Sequence, residues 1–246
     1  MARVTKEADV RRDDLLDVAL GLCVEVGFES MSVEQVTTKA GVAKGTFYHY
    51  FTSKQDLLAQ LVARFGDELF EHLEREMTDA SGDALERLLK LLRLSTTWKL
   101  ERLDATLTYL PFLFTDENYT LRYRLYTVWF ERLRPLVLSI VEQGVREGTL
   151  SVDDPAATTT VLLTLWVDGG NRLWESAIGT ADFAGSMLAG AKAISVAQER
   201  ILGVQEGSLD LMGSIEPDVI DSVRTTLVEQ SERSKGPDRT DREELT

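Results

Sequence analysis

Residues 31–58 read Met-Ser-Val-Glu-Gln-Val-Thr-Thr-Lys-Ala-Gly-Val-Ala-Lys-Gly-Thr-Phe-Tyr-His-Tyr-Phe-Thr-Ser-Lys-Gln-Asp-Leu-Leu, and the fold of the chain follows from this stretch. Ser32 followed three residues later by Gln35 is the capping-box pattern with which many helices begin. Gly41 favours the left-handed backbone that ends a helix in a tight turn, and a further short helix is predicted over residues 44–51. The stretch therefore predicts two short helices that a glycine turn joins at a sharp angle.

Helical spacing of apolar residues continues on both sides of this stretch. Upstream, a helix is predicted over residues 6–26 and ends at Gly27; downstream, Ser53 and Asp56 are typical of the first positions of another helix. Further helices are predicted over residues 83–101, 103–113, 116–147, 155–178, 182–203 and 217–230, and a kink is expected at Pro135. Because no segment shows sustained alternation of apolar and polar residues, the predicted fold class is all-α.

Composition limits the class of protein. The 246 residues are 43% hydrophobic, which is enough for a sizeable core in one large domain or two smaller ones. The longest uncharged run covers residues 155–167, whereas a membrane-spanning helix needs about 20 apolar residues, so no membrane segment is predicted. Charged residues follow the start of the chain, so no signal peptide is expected. The single cysteine, Cys23, favours a reducing compartment, and the expected location is cytoplasmic.

Charge is distributed unevenly along the chain. The formal net charge is −14, but residues 1–55 carry only −1 and residues 56–246 carry −13. Residues 40–52 contain no acidic residue at all. An acidic protein is not the usual DNA binder, so the overall charge argues against nucleic acid, while the local charge of this one segment favours a polyanion as its partner.

The predicted helix over residues 44–51 presents an unusual outward face. Its hydrogen-bond donors are Lys44, Thr46, Tyr48, His49 and Tyr50. Gly45 has no side chain, so a base pair or a phosphate could approach the backbone closely, and Phe47 and Phe51 are predicted to point inward as anchors. Lys54 follows in the first turn of the next helix, where a cation opposes the helix dipole, and this position suggests a phosphate contact. The pattern favours insertion into the major groove of duplex DNA.

This segment resembles the DNA-binding helix-turn-helix of the TetR family of transcriptional regulators (TetR/AcrR-like). The matching residues are Gly27-Phe28, Ser32-Val33, Ala40-Gly41-Val42, Gly45-Thr46-Phe47-Tyr48, Tyr50-Phe51, Ser53-Lys54 and Leu57-Leu58. At the level of motifs the likeness covers about residues 10–60, and beyond them it is architectural. It implies an N-terminal three-helix DNA-binding head over residues 1–54 and a C-terminal helical body for effector binding and dimerisation over residues 55–230. The polar tail, residues 231–246, is expected to be disordered.

The resemblance also implies a DNA-contacting role for individual residues. Those expected to contact phosphates are Thr46, Tyr48, His49, Tyr50 and Lys54. Lys44 and Gly45 would lie nearest the base edges, and Ser32 and Val33 would touch the DNA backbone. Two positions depart from the family pattern: Ala43 stands where a capping Ser or Thr is frequent, and Thr37 stands where Ala is usual.

The body of such regulators encloses a small-molecule effector, and two groups of residues are candidates for binding one here. The aromatic candidates are Tyr109, Tyr123, Tyr126 and Trp129, for which ordinary core packing is the alternative. The polar candidates are Asp168, Asn171 and Arg172, which could equally form a salt-bridged network at a surface or an interface.

Small residues are frequent in the predicted helices 155–178 and 182–203, which allows close packing. Packing within one chain is the simpler explanation; the resemblance favours a homodimer in which these helices of two chains form a four-helix bundle.

No catalytic motif is present, so the chain is not expected to be an enzyme. Two histidines and one cysteine are too few for a zinc site, and no metal or other cofactor is expected. The resulting interpretation is a ligand-responsive one-component transcriptional regulator, a repressor that binds a palindromic DNA operator as a homodimer and is released by a small-molecule effector. The alternatives are a DNA-binding regulator without an effector, and an all-helical carrier of an apolar ligand. The operator, the effector and the regulated genes do not follow from the sequence.

Overall fold

The computed structural model describes residues 2–102, 105–106, 118–170, 172–173, 176, 180–209 and 225. Regular structure in these residues is helical and includes no strand, which confirms the all-α fold class. The elements are α1 (Ala2–Val26), α2 (Val33–Ala40), α3 (Lys44–Tyr50), α4 (Lys54–Thr78), α5 (Ala84–Glu101), α6 (Tyr119–Glu147), α7 (Pro155–Thr164), a π-helical turn (Leu165–Gly169) and α8 (Phe183–Leu202). None of the described helices has an apolar stretch long enough to cross a membrane.

Most predicted helices appear close to their expected positions, with one clear exception. The helix predicted over residues 155–178 is not a regular α-helix, because α7 ends at Thr164 and the π-helical turn Leu165–Gly169 follows it. A π-helical turn holds an extra residue, and the spacing of apolar residues along the sequence gave no sign of it. The predicted helices 103–113 and 217–230 lie almost entirely outside the described residues, as does the whole tail 231–246.

The chain divides into two compact units, and the first contains the described residues 2–65. Its core combines the buried face of α1 with side chains from α2, α3 and the first part of α4. The fully or almost fully buried members are Leu15, Leu16, Ala19, Val36, Phe47, Phe51, Leu57, Leu58, Leu61 and Val62. Gly27 ends α1 with a φ of 77°, in the left-handed region that glycine adopts without strain.

The second unit contains the described residues 66–102, 118–170, 172–173, 176 and 180–209. Asp83 caps α5 through a capping box with Glu86. Pro135 lies inside α6. Trp129 of α6 lies against Gly66, where a β-carbon would collide with its indole ring, so these two helices approach closely at that point.

Buried polar contacts connect the last described helix of the second unit with its neighbours. The indole Nε1 of Trp166, in the π-helical turn, donates to Gln198 Oε1 of α8 at 2.8 Å. The buried carboxylate of Glu199 accepts hydrogen bonds from the backbone amides of Gly207 and Leu209, at 3.0 and 2.7 Å. The chain after α8 is therefore held to that helix as far as Leu209.

Candidate nucleic-acid interface

The capping box predicted for α2 is present. Ser32 Oγ accepts a hydrogen bond from the Gln35 amide at 3.1 Å, and the Ser32 amide donates to Gln35 Oε1 at 2.7 Å. This reciprocal pair satisfies two backbone amides that the first turn of a helix otherwise leaves unpaired. The Ser32 side chain, predicted to touch the DNA backbone, is exposed, and its hydroxyl oxygen accepts the capping hydrogen bond of α2. Val33, predicted to touch the DNA backbone as well, is half-buried.

The turn between α2 and α3 depends on Gly41. Its φ of 66° lies in the left-handed region, and the amides of Gly41 and Val42 donate to the carbonyls of Thr38 and Thr37, at 3.1 and 3.0 Å. This arrangement closes the C-terminus of α2, and α3 begins after only three intervening residues. Thr37, one of the two departures from the family pattern, is buried, and its hydroxyl donates to the Glu34 carbonyl at 3.1 Å.

Helix α3 is fixed by the two phenylalanines predicted to point inward. Phe47 and Phe51 are both buried, and their ring centroids lie 5.3 Å apart. Ala43 occupies the N-cap position and makes no side-chain capping bond, as the missing Ser or Thr indicates. A seven-residue helix without a side-chain cap is marginal by itself, so its position depends on the packing of these two rings.

The outward face of α3 carries most of the residues predicted to meet DNA. Lys44, Gly45, Tyr48 and His49 are exposed, with 51% of Tyr48 accessible, and a β-carbon at Gly45 would meet no atom within 4 Å. Thr46 and Tyr50 are half-buried, so this face is narrower than the sequence predicts. The ring of His49 lies edge-on to that of Tyr50, with centroids 4.9 Å apart.

The start of α4 is tied to the end of α3. Ser53 Oγ accepts from the Asp56 amide at 3.0 Å, and Gln60 Nε2 bridges Asp56 Oδ1 at 3.2 Å and the Tyr50 carbonyl at 3.5 Å. Partial burial of the Asp56 carboxyl group opposes its ionisation. Hydrogen bonds from the Thr52 amide, the Gln60 side chain and the Thr52 hydroxyl nevertheless hold the pKa of Asp56 below its ordinary value.

Lys54 has a structural role that the sequence did not reveal. Its Nζ donates to the carbonyl oxygens of Phe28, Glu29 and Met31, at 3.0, 3.2 and 3.1 Å, and lies 4.3 Å from the centre of the Phe28 ring. These contacts account for a cation at the start of α4 without a phosphate, and the phosphate contact predicted for Lys54 stays a prediction. No pattern of side chains could have disclosed this contact, because all three hydrogen-bond acceptors are backbone atoms.

Another lysine of the head is also paired. Lys39 Nζ lies 2.6 Å from Glu25 Oε1, and both side chains are exposed. By contrast, Lys44 at the start of α3 is exposed and lies in the part of the sequence that is free of acidic residues.

The residues predicted to bind an effector are not gathered around one described cavity. Tyr123 is 64% exposed, whereas Tyr126 and Trp129 are half-buried with ring centroids 5.4 Å apart. Asp168 and Arg172 form an exposed ion pair at 2.9 Å, which corresponds to the surface-network alternative. Tyr109 and Asn171 lie outside the described residues.

A groove of about 500 Å³ does occur along one face of α5. It is lined by Ser81, Glu86, Leu89, Lys90, Arg93, Leu94 and Thr97, none of which was predicted to bind an effector.

Comparison with known proteins agrees with the geometry of the head. Residues 15–61 match the sequence model of the family described as "Bacterial regulatory proteins, tetR family". The HTH-type transcriptional repressor KstR2 of Mycobacterium tuberculosis is 28% identical over 157 residues, which cover 62% of this chain and 76% of the repressor.

Solved structures show the same fold. A TetR-family transcriptional regulator from Pectobacterium atrosepticum superposes with a TM-score of 0.60 at 19% identity, over 80% of this chain and 96% of that one. The transcriptional regulator FadR of Bacillus subtilis, solved in complex with stearoyl-CoA, superposes with a TM-score of 0.55 at 20% identity, over 78% of this chain and 98% of its own. Residues 15–61 thus carry the sequence pattern of the tetR family of bacterial regulatory proteins, and the chain is similar to transcriptional repressors that carry an HTH domain.

Proposed function

We propose that this protein is a one-component repressor that binds a palindromic operator as a homodimer and leaves it when a small-molecule effector binds. The observation that best supports this proposal is the outward face of α3, which is free of acidic residues and rests on the buried rings of Phe47 and Phe51. We assign the head to residues 1–54 and the effector-binding and dimerisation body to residues 55–230.

The proposed DNA contacts divide by position. Lys44 and Gly45 are closest to the base edges because they form the first turn of α3, the part of a recognition helix that enters the major groove. Tyr48 and His49, both exposed, are placed to donate to phosphates, with Thr46 and Tyr50 at the edges of the same face. Ser32 and Val33 at the start of α2 approach the DNA backbone.

DNA binding is tested by measuring the affinity of the full chain for labelled duplexes selected from a random library, as a function of salt. A regulator binds with a logarithmic slope of about −0.9 for each phosphate contacted. The selected sequence should contain an inverted repeat whose half-sites lie about one helical turn apart. The proposal fails if no duplex is bound in dilute buffer, which is the result that a carrier of apolar ligands would give.

The proposed homodimer uses α7 and α8. The outward face of α7 is uncharged along its length and consists of Ala156, Ala157, Thr160, Val161 and Thr164, all exposed in the single chain. Val161 is 50% exposed, and burial of such a face against a second copy is favourable. The ion pair between Asp168 and Arg172 lies just beyond it and is suited to the polar rim of an interface.

The dimer is tested by sedimentation of Val161→Glu beside Val128→Glu, a matched change at a valine of α6 that is 58% exposed. We expect Val161→Glu to shift the protein toward monomer and to weaken operator binding, and Val128→Glu to change neither. A dimer that is unaffected by Val161→Glu would assign the interface elsewhere.

The effector is proposed by analogy with relatives. Because the structural neighbour FadR was solved with stearoyl-CoA, a long-chain acyl-CoA is the first compound to test for this chain, and Tyr109, Tyr123, Tyr126, Trp129 and Asn171 remain predicted contacts. A true effector raises the melting temperature by mass action and releases the operator. A regulator without an effector would show neither response across a compound library.

A further inference from the structure

We infer that Lys54 is a positioning residue for DNA recognition and acts by holding the backbone turn between α1 and α2, not by touching a phosphate. The inference rests on the proposed DNA-binding function and changes the role assigned to one of its residues. Lys54 Nζ lies 3.0–3.2 Å from three carbonyl oxygens that belong to one short turn, residues 28–31.

The number of hydrogen atoms on the ammonium group supports this role. A lysine ammonium has three hydrogens and no acceptor, and each hydrogen here has its own carbonyl partner in Phe28, Glu29 or Met31. The Phe28 ring, 4.3 Å away, covers a further side of the cation. While these contacts persist, Lys54 has no hydrogen left to donate to a phosphate oxygen.

The position of the three carbonyls shows what the contact holds in place. Gly27 ends α1, and Met31 directly precedes Ser32, the N-cap of α2. Met31 is itself buried, and its amide donates to the Gly27 and Phe28 carbonyls at 3.1 and 3.2 Å. Lys54 therefore joins the end of α1, the start of α2 and the start of α4 at one point, and loss of the ammonium releases the turn that sets the entry of α2.

Salt dependence separates positioning from phosphate contact. The affinity of the full chain for a selected duplex is measured from low to moderate salt for the wild type, Lys54→Met, Lys54→Arg and Lys44→Met. Removal of a cation that neutralises duplex charge flattens the logarithmic slope by about 0.9 per chain, and this is the result expected for Lys44→Met, which removes the exposed cation of α3 from the groove. For Lys54→Met we expect a slope equal to that of the wild type and an affinity about tenfold lower at every salt concentration.

Lys54→Arg also distinguishes a positioning role of Lys54 from a phosphate contact. It keeps the inference testable if Lys54→Met does not fold. A guanidinium group keeps the charge and binds phosphate well, but its donors lie in one plane and do not match three carbonyls that surround a single nitrogen. We expect Lys54→Arg to weaken binding as Lys54→Met does. Full binding by Lys54→Arg, or a flattened slope for Lys54→Met, would overturn the inference.

Amide hydrogen exchange tests the contact without DNA. Faster exchange of the backbone amides of residues 27–32 in either Lys54 variant, with far-UV circular dichroism unchanged, is the expected result; unchanged protection of these amides contradicts the inference. If the wild type binds no duplex, the proposed function fails while the exchange measurement still decides whether Lys54 holds the turn.

Discussion

Basic side chains have different surroundings in helix α3 and in the second unit of the molecule. In the second unit, Arg132 binds both Asp67 and Glu74, at 2.9 and 2.8 Å, and Arg172 binds Asp168. In α3, Lys44 lies in a run of residues that contains no carboxylate at all. The net charge of −14 therefore describes the chain as a whole but not this surface, and we expect a polyanion to be attracted locally at α3.

The two regions also differ in what holds their helices. The short helix α3 relies on the buried rings of Phe47 and Phe51. By contrast, α6 in the second unit is bound to α4 by the Arg132 ion pairs and by the close approach of Trp129 to Gly66. Loss of apolar packing should therefore destabilise α3 most. Loss of an ion pair should lower stability chiefly in the second unit.

The largest expected effect is that of Phe47→Ala. Truncation of a fully buried phenylalanine costs about 3–5 kcal/mol, and here it also removes the anchor of α3. Leu88→Ala in α5 is the matched control, because Leu88 is equally buried and its truncation costs about 2–5 kcal/mol. Urea denaturation should show a large loss of stability for both variants. At a temperature where both variants are folded, duplex binding should be lost only in Phe47→Ala. Equal duplex binding by the two variants would contradict the claim that Phe47 anchors α3 for DNA binding.

An intermediate effect is expected from the thiol of Cys23 in the first unit. Burial raises the pKa of Cys23 from 9.0 to about 11, although the nearby charge of Lys54 opposes this shift. Because the unfolded chain ionises first, the stabilising contribution is complete below pH 9 and is lost as the pH rises to about 11, a loss of about 3 kcal/mol. Denaturation of the wild type and of Cys23→Ala across this range provides the measurement. The two slopes against pH should differ, and parallel slopes would show that the thiol does not contribute.

The smallest effect is expected for Arg132→Met in the second unit. Its hydrogen bond to Glu74 is the main cause of the lowered pKa of that carboxylate, with partial burial opposing it. The Glu74 side chain is 52% exposed and that of Arg132 27%, so solvent still screens the pair and we expect a loss of only about 1 kcal/mol at neutral pH. Because the pKa of Glu74 is lowered on folding, this contribution is present above the ordinary pKa of 4.5 and disappears as the pH falls below it. The stabilities of the wild type and the variant should therefore converge in acid, and a constant difference would contradict this account.

The parts of the head that followed from the sequence are those with local causes. Ser32 with Gln35, Gly41, and the spacing of Phe47 and Phe51 act within one or two helical turns, and the structure has all of them as predicted. The contacts of Lys54 could not be predicted, because its partners are backbone carbonyls 23–26 residues away, which leave no trace in the pattern of side chains.

The effector site was harder to predict for a different reason. Aromatic content shows that apolar surface is available but not which side of a helix it occupies, so Tyr123, which is 64% exposed, could not be told from Tyr126. The π-helical turn also escaped prediction, since one extra residue in a turn is decided by packing against α8 and not by local propensity.

That extra residue in Leu165–Gly169 has a consequence for how this part of the chain tolerates changes of length. One residue advances an α-helix by about 100°, so the described residues that directly follow the turn are rotated by about that amount relative to the face that begins at Ala156. Deletion of one residue within the turn can be absorbed by its conversion to ordinary α-helix, whereas the same deletion nearer Pro155 rotates Trp166 away from Gln198. The π-helical turn is thus the place in residues 155–169 where the chain best accommodates a change of length by one residue.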